Sequence, residues 1–170
     1  ALSPTELCMD DPYVLGLGLH ARSDGFRTMY AGVASFMWLM TGLMLPQYMA
    51  HGHKKPRYLF FTLLTQGATI GVFLSDDLIT AFLFFEILSF TSYCWVIHKE
   101  TPGAMRAGQA YLAISLLGGM AMLMGLMMLH GQFGTLRYSL MTKLAAQMEP
   151  HQLYLSGGLI LAGFGAKAGM

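Results

Sequence analysis

Long uncharged runs alternate along the chain with short polar ones. Thr28 to Ala50, Tyr58 to Ser75 and Ala107 to Leu129 contain no Asp, Glu, Lys or Arg. Each reaches the roughly 18 apolar residues needed to cross a ~30 Å hydrocarbon layer as a helix. Leu78 to Ile97 is equally apolar apart from Glu86, and Gln152 to Met170 apart from Lys167. Backbone polar groups must be satisfied inside lipid, which leaves helices or closed barrels, and runs this long and non-alternating do not suit barrel strands. The pattern predicts an all-α fold: a polytopic bundle of five transmembrane helices over about 28–50, 58–75, 77–98, 107–129 and 152–170.

The polar stretches fall where water is expected. They are His51-Gly-His-Lys-Lys-Pro-Arg57, Ser75-Asp-Asp77, His98-Lys-Glu-Thr-Pro-Gly103 and a longer linker from His130 to His151. Residues 1–27 are mixed, with Pro4, Pro12, Asp10, Asp11 and Asp24, and lack the basic start, apolar centre and small-residue site of a signal peptide. They read as an extramembrane lead-in to a transmembrane region over 28–170. The chain starts at Ala1 and stops at Met170 inside an apolar run. A fragment, or a split protein completed by another chain, is therefore expected.

Composition narrows the function. Only 11% of residues are charged, against roughly 25% in soluble domains, which excludes an ordinary soluble enzyme. Ten Lys and Arg against nine acids leave a net charge of +1 and no electrostatic case for a nucleic-acid partner. Cys8 and Cys94 stand far apart and form neither a metal pair nor a disulfide framework. No metal site and no cofactor is expected. His51 and His53 have loop spacing without a third ligand nearby. The methionines of Met120-Ala-Met-Leu-Met124 and Met127-Met128 do not hold one helical face and read as lipid-facing filler. Gly118-Gly119 and the pair Gly67 and Gly71 suit close helix crossings. The linkers after the first and third spans carry Lys54, Lys55, Arg57, Lys99 and Arg106, against Arg22, Arg27, Arg137 and Lys143 on the other side. This small excess places the first group on the cytoplasmic side.

Two ionisable residues carry the candidate chemistry. Glu86 lies nine residues beyond Asp77, about 13 Å along a helix and close to the middle of the membrane. A carboxylate at that depth faces a bundle interior and needs a partner or a proton. Ser89 and Tyr93, at i+3 and i+7, continue a supporting polar stripe on the same face. Lys167 lies roughly 20 Å into the last run, within Gly163-Phe-Gly-Ala-Lys-Ala-Gly169. Gly163, Gly165 and Gly169 predict a helix break, of the kind that lines cavities and marks ion sites in transporters. Glu86 is the obvious anion for Lys167. Against these stand plainer roles: a structural tie for Glu86, and snorkelling to an interface for Lys167. Asp76 and Asp77 read as a helix N-cap with first-turn charge.

With these motifs in this order, the chain resembles the antiporter-like membrane subunits shared by respiratory complex I, Mrp-type sodium/proton antiporters and membrane-bound hydrogenases. The resemblance covers nearly the whole chain as the third to seventh helices of that fold. It runs through Asp24-Gly25, Ser75-Asp-Asp-Leu78, Phe85-Glu86, Ser92-Tyr93, Gly134-Thr135 and Gly163-Phe-Gly-Ala-Lys-Ala-Gly169. It implies that Glu86 is the fifth-helix glutamate and Lys167 the lysine of a broken seventh helix, a pair that gates proton movement. Two departures stand out: Phe85 where the family often has Trp, and Ala110 where a basic residue often precedes the tyrosine, here Tyr111.

The resemblance implies a proton or Na+/H+ translocating subunit in the plasma membrane of a bacterium or archaeon, or in an organellar inner membrane. Other membrane subunits of a redox or antiporter complex would be its partners, beside the lipid bilayer and H+ or Na+. It would have no catalytic centre of its own. The alternative is a structural or assembly subunit that translocates nothing and holds Glu86 and Lys167 as a static pair.

Overall fold

Asp24, Asp77 and Thr101 each stand just before an apolar run, and each opens a helix. The computed structural model describes residues 8–11, 18–50, 54–146 and 150–168. In it the Asp24 carboxylate accepts from the Arg27 amide at the start of α1 (Gly25–Tyr48). Asp77 accepts from the Thr80 amide at the start of α3 (Leu78–Val96), and Thr101 from Ala104 at the start of α4 (Pro102–Phe133). Such side chains satisfy amides that a first helical turn leaves without partners. Asp77 is thus the N-cap expected of it, whereas Asp76 pairs with Arg27 instead. The fourth long helix, α2 (Lys55–Leu74), has Pro in its first turn, where a missing donor does no harm.

These four helices are long and apolar enough to cross a membrane. α6 (Pro150–Ala168) has a shorter apolar part, Leu153–Ala168, so among the described residues the five expected spans become four and one short apolar helix. α4 outruns its expected end at Leu129 and stops at Phe133, where Gly134 takes φ +68° as a left-handed cap. The expected His130–His151 linker also holds a short helix, α5 (Tyr138–Ala145). A second unexpected element lies in the lead-in, where β1 (Cys8–Asp11) and β2 (Leu19–Arg22) pair antiparallel with Asp10 opposite His20. β2 lies against the turn between α2 and α3: the Asp76 amide donates to the His20 carbonyl at 2.8 Å, and the His20 amide to the Thr80 hydroxyl at 3.0 Å.

The long helices pack in turn, α2 on α3, α3 on α4 and α4 on α6. The core is Ile79 and Phe82 of α3 with Met122, Leu126 and Leu129 of α4, covered by Ile160 and Phe164 of α6. Met122 is fully buried there, which corrects its reading as lipid-facing filler; Met120, Met124 and Met127 are exposed. α1 buries no described residue and rests mainly on α2, with Trp38 against Trp95 of α3 at 6.0 Å between ring centroids. Its exposed Phe36, Leu43 and Met44 suit a bundle whose outer solvent is hydrocarbon. Within α2, Thr62, Thr65 and Thr69 turn their hydroxyls back onto carbonyls four residues earlier, at 2.6 to 2.8 Å. Polar side chains there are satisfied without water.

The predicted helix break is not found at Gly163 or Gly165. α6 is continuous through both to Ala168, and Gly169 lies outside the described residues, as do His51 and His53. Packing explains the helix. A β-carbon on Gly163 would stand 2.6 Å from the Gly118 carbonyl oxygen and 2.6 Å from Met122 Cβ, and one on Gly118 would stand 2.9 Å from Ala166 Cβ. These glycines let α4 and α6 touch backbone to backbone, the close-crossing role expected of Gly118. Gly71 likewise makes room for the Phe84 ring of α3, while Gly67 faces open space.

Candidate functional site

Glu86 stands near the middle of α3, and α6 brings Lys167 against it. The Lys167 Nζ lies 3.1 Å from Glu86 Oε1, with the lysine side chain 3% exposed and the glutamate 22%. The ammonium donates a hydrogen bond of 2.9 Å to Ser89 Oγ, whose own proton goes to the Phe85 carbonyl. Among the described residues Glu86 Oε1 has no aligned hydrogen bond. The ion pair is therefore a charge contact, with the directional bond going to Ser89. A buried charge with a poorly satisfied partner is held less firmly than one in a complete network.

Of the residues expected here, Glu86, Ser89 and Lys167 come together. Tyr93 does not: it packs one turn further along α3, beside Gly108 and Ile97. Gly163 serves the helix contact rather than the charges. Three other residues complete the site and were not singled out for it. Phe164 stands edge-on to Phe85, ring centroids 5.3 Å apart, an apolar contact between the two helices that carry the pair. Gly119 of α4 faces the Glu86 carboxylate directly, leaving no room for a side chain. The buried Ser115, one turn earlier, lines with Glu86, Ser89 and Phe90 a cavity of about 10 Å³, close to the least that admits one water. A Ser beside an apolar run carries no signal by itself, and Gly119 could be recognised only by knowing what crosses it.

A second polar group lies near the start of α3, about 13 Å from Glu86 by helical rise. Arg27 pairs with Asp76 at 2.8 Å and Asp24 at 3.3 Å. Asp77 also accepts from the Thr80 hydroxyl at 2.9 Å. His20 Nδ1 lies 2.7 Å from Asp10, and this bond holds the Asp10 carboxyl below the usual carboxylate range. The apolar layer of Ile79, Phe82, Met122 and Leu126 belongs to the same α3 and α4 segments that separate this group from Glu86.

The bundle thus holds a Glu–Lys charge pair, Glu86 with Lys167, among apolar helices. Residues 75–170 match the family described as NADH:quinone oxidoreductase/Mrp antiporter, TM, and the chain belongs to that family as an antiporter-like integral membrane subunit. Over 114 residues it is 40% identical to a probable K(+)/H(+) antiporter subunit of Rhizobium meliloti (strain 1021), covering 65% of this chain and 21% of the relative. Over 144 residues it is 27% identical to the "Putative antiporter subunit mnhA2" of Staphylococcus aureus (strain USA300 / TCH1516), covering 83% of this chain and 18% of the relative. The chain thus spans about a fifth of the length of these relatives.

The fold agrees. A subunit of the membrane-bound sulfane sulfur reductase, an archaeal respiratory membrane complex, superposes with a TM-score of 0.82 at 24% identity, over 100% of this chain and 27% of that one. A chain of the Mrp complex from Dietzia sp. DQ12-45-1b gives 0.78 at 16% identity, over 96% and 18%.

Proposed function

We propose that this chain is part of a subunit that translocates protons, or exchanges Na+ for H+, within a multi-subunit membrane complex, and that Glu86 and Lys167 gate the transfer. The observation that carries this reading is the near-complete burial of an ammonium whose carboxylate partner touches it without an aligned hydrogen bond. With Glu86 close, the ammonium of Lys167 is paired and stays where it is. When the carboxylate swings away, the buried ammonium loses its anion and passes its proton to a neighbouring water, leaving a neutral amine. Ser89 keeps the lysine in place through the cycle. The energy would come from redox partner subunits or from an opposing ion gradient.

The continuity of α6 past Gly165 favours the competing reading, a static pair in a scaffold subunit. Assembly and pumping of the intact complex separate the two. Glu86→Gln and Lys167→Met should each abolish pumping, and the double apolar replacement Glu86→Leu with Lys167→Met should restore assembly but not pumping. A static pair predicts that the double variant recovers both, because only a lone buried charge is harmful.

A further inference from the structure

The chain turns sharply where α4 ends. Gly134, in its left-handed cap, sends residues 135–137 back along the start of α3, where the Leu78 amide donates to the Leu136 carbonyl at 3.1 Å and the Tyr138 amide to the Asp76 carbonyl at 3.4 Å. β2 joins the same turn through the His20 backbone bonds to Asp76 and Thr80. Between these segments lies a cavity of about 110 Å³ whose lining includes His20, Asp77, His130, Thr135 and Arg137. It runs from the buried Asp77 to the exposed Gly134, so it links the interior with the surface, and it has room for several waters.

His130 stands in the last turn of α4, one residue past the uncharged run that ends at Leu129. α4 has 32 residues, against the roughly 20 that cross the hydrocarbon, so its ends reach beyond it. The His130 Nδ1 is buried and has no hydrogen-bond partner among the described residues. A buried polar atom in that state calls for water, and the cavity that the ring lines can supply it.

Asp77 lines the same cavity with its charge uncompensated. Its two oxygens accept from neutral donors, the amide and hydroxyl of Thr80. The nearby cations are directed elsewhere: Arg27 to Asp76 and Asp24, and Arg137 to Asp10 at 3.5 Å and to the His20 Nδ1 at 2.8 Å. His20 is itself bound to Asp10 at 2.7 Å. Facing His130 across the cavity are therefore Asp77 from α3, His20 from β2 and Arg137 from the linker, and no described residue of α6 joins the lining. A buried carboxylate with neutral donors alone is stabilised by a positive charge brought near it. Among the described residues no group of three ligating side chains is placed to hold a metal ion.

We propose that this cavity is a hydrated proton-binding site. The His130 ring takes a proton from a hydronium ion arriving through the cavity, leaving water, and the buried Asp77 carboxylate balances the imidazolium across that water. The site is separate from Glu86 and Lys167. Gly119, which faces Glu86, lies eleven residues earlier on α4, roughly 16 Å by helical rise. Protonation of His130 can thus be tested whether or not Lys167 releases a proton.

The test reads deuterium exchange at the imidazole C2 position of each histidine in the intact complex containing this chain, by peptide mass spectrometry over a pH series in D2O. Such exchange requires contact with water, and its rate rises to a plateau as the ring loses its proton. His130 should exchange as readily as the exposed His151, with a midpoint between about pH 5 and 8. Asp77→Asn, which keeps the helix cap, should move the His130 midpoint about one unit lower because the balancing charge is gone, and leave that of His151 in place. Exchange at His130 that stays far below that of His151 at every pH means a ring sealed from water and overturns the proposal. So does a His130 midpoint that Asp77→Asn leaves unmoved, which would make it an ordinary surface histidine.

Discussion

Gly119 of α4 and Glu86 of α3 meet so closely that a β-carbon on the glycine would occupy the position of the carboxylate. The glycine therefore determines where the acid can stand relative to Lys167. Gly119→Ala should leave the complex assembled, because the group displaced is the free end of a side chain and Ala favours the helix by about 1 kcal/mol. It should nevertheless impair pumping, since the carboxylate must move. Assembly on native gels and proton uptake in proteoliposomes check this; unchanged uptake would mean that the placement of Glu86 is unimportant.

Gly163→Ala should have the opposite profile. Its β-carbon would meet the Gly118 carbonyl and the fully buried Met122 at 2.6 Å, neither of which can swing aside. Overpacking of this kind costs about 1–3 kcal/mol, so the midpoint of thermal unfolding in detergent should fall and less complex should assemble.

Asp77 accepts from both the Thr80 amide, at 2.6 Å, and the Thr80 hydroxyl, at 2.9 Å, and is buried. Asp77→Ala should destabilise the protein by about 1–2 kcal/mol through loss of the cap, and Asp77→Asn by much less, since Asn caps nearly as well. Thermal unfolding monitored by circular dichroism separates the two variants.

Lys54 and Glu100 are the non-glycine residues with positive φ among those described, at 56° and 52°, and they bind each other, Nζ 2.7 Å from both carboxylate oxygens. The pair joins two loops, and each helps hold the other in a backbone region that disfavours side chains. The Lys54 hydrogen bond, and then that of Arg57, hold the Glu100 carboxyl below the ordinary carboxylate range. A depressed folded-state value means that the clamp is complete above the ordinary range and is lost as the pH falls through the lowered value. Trp95 stacks on Tyr58, next to Arg57, so its fluorescence should hold steady to about pH 5 and change at more acid pH. Glu100→Gln should abolish the transition.

How far the sequence reveals this fold depends on how local each cause is. The long helices are visible because a membrane span is written as one uninterrupted run, and Glu86 and Lys167 because a charge is conspicuous inside one. Asp77 is recognisable as a cap because its bonds reach only three residues. The misreading of Gly163 and Gly165 has a physical source: a glycine weakens an isolated helix, but here Gly163 lies against Gly118, 45 residues earlier in the chain, and no local pattern reveals that contact. A similar separation in sequence hides the Arg27 pair with Asp76. β1, β2 and α5 are four, four and eight residues long, too short for periodicity to declare them.

The central claim is that Lys167 gives up a proton rather than merely balancing Glu86, and Lys167→Arg tests it most directly. Guanidinium retains its charge at any working pH and so preserves the pairing with Glu86 while forbidding release. Proton pumping by the intact complex carrying Lys167→Arg should be abolished although assembly and partner composition are unchanged. Wild-type pumping by that variant would contradict the account and leave the pair as a structural tie.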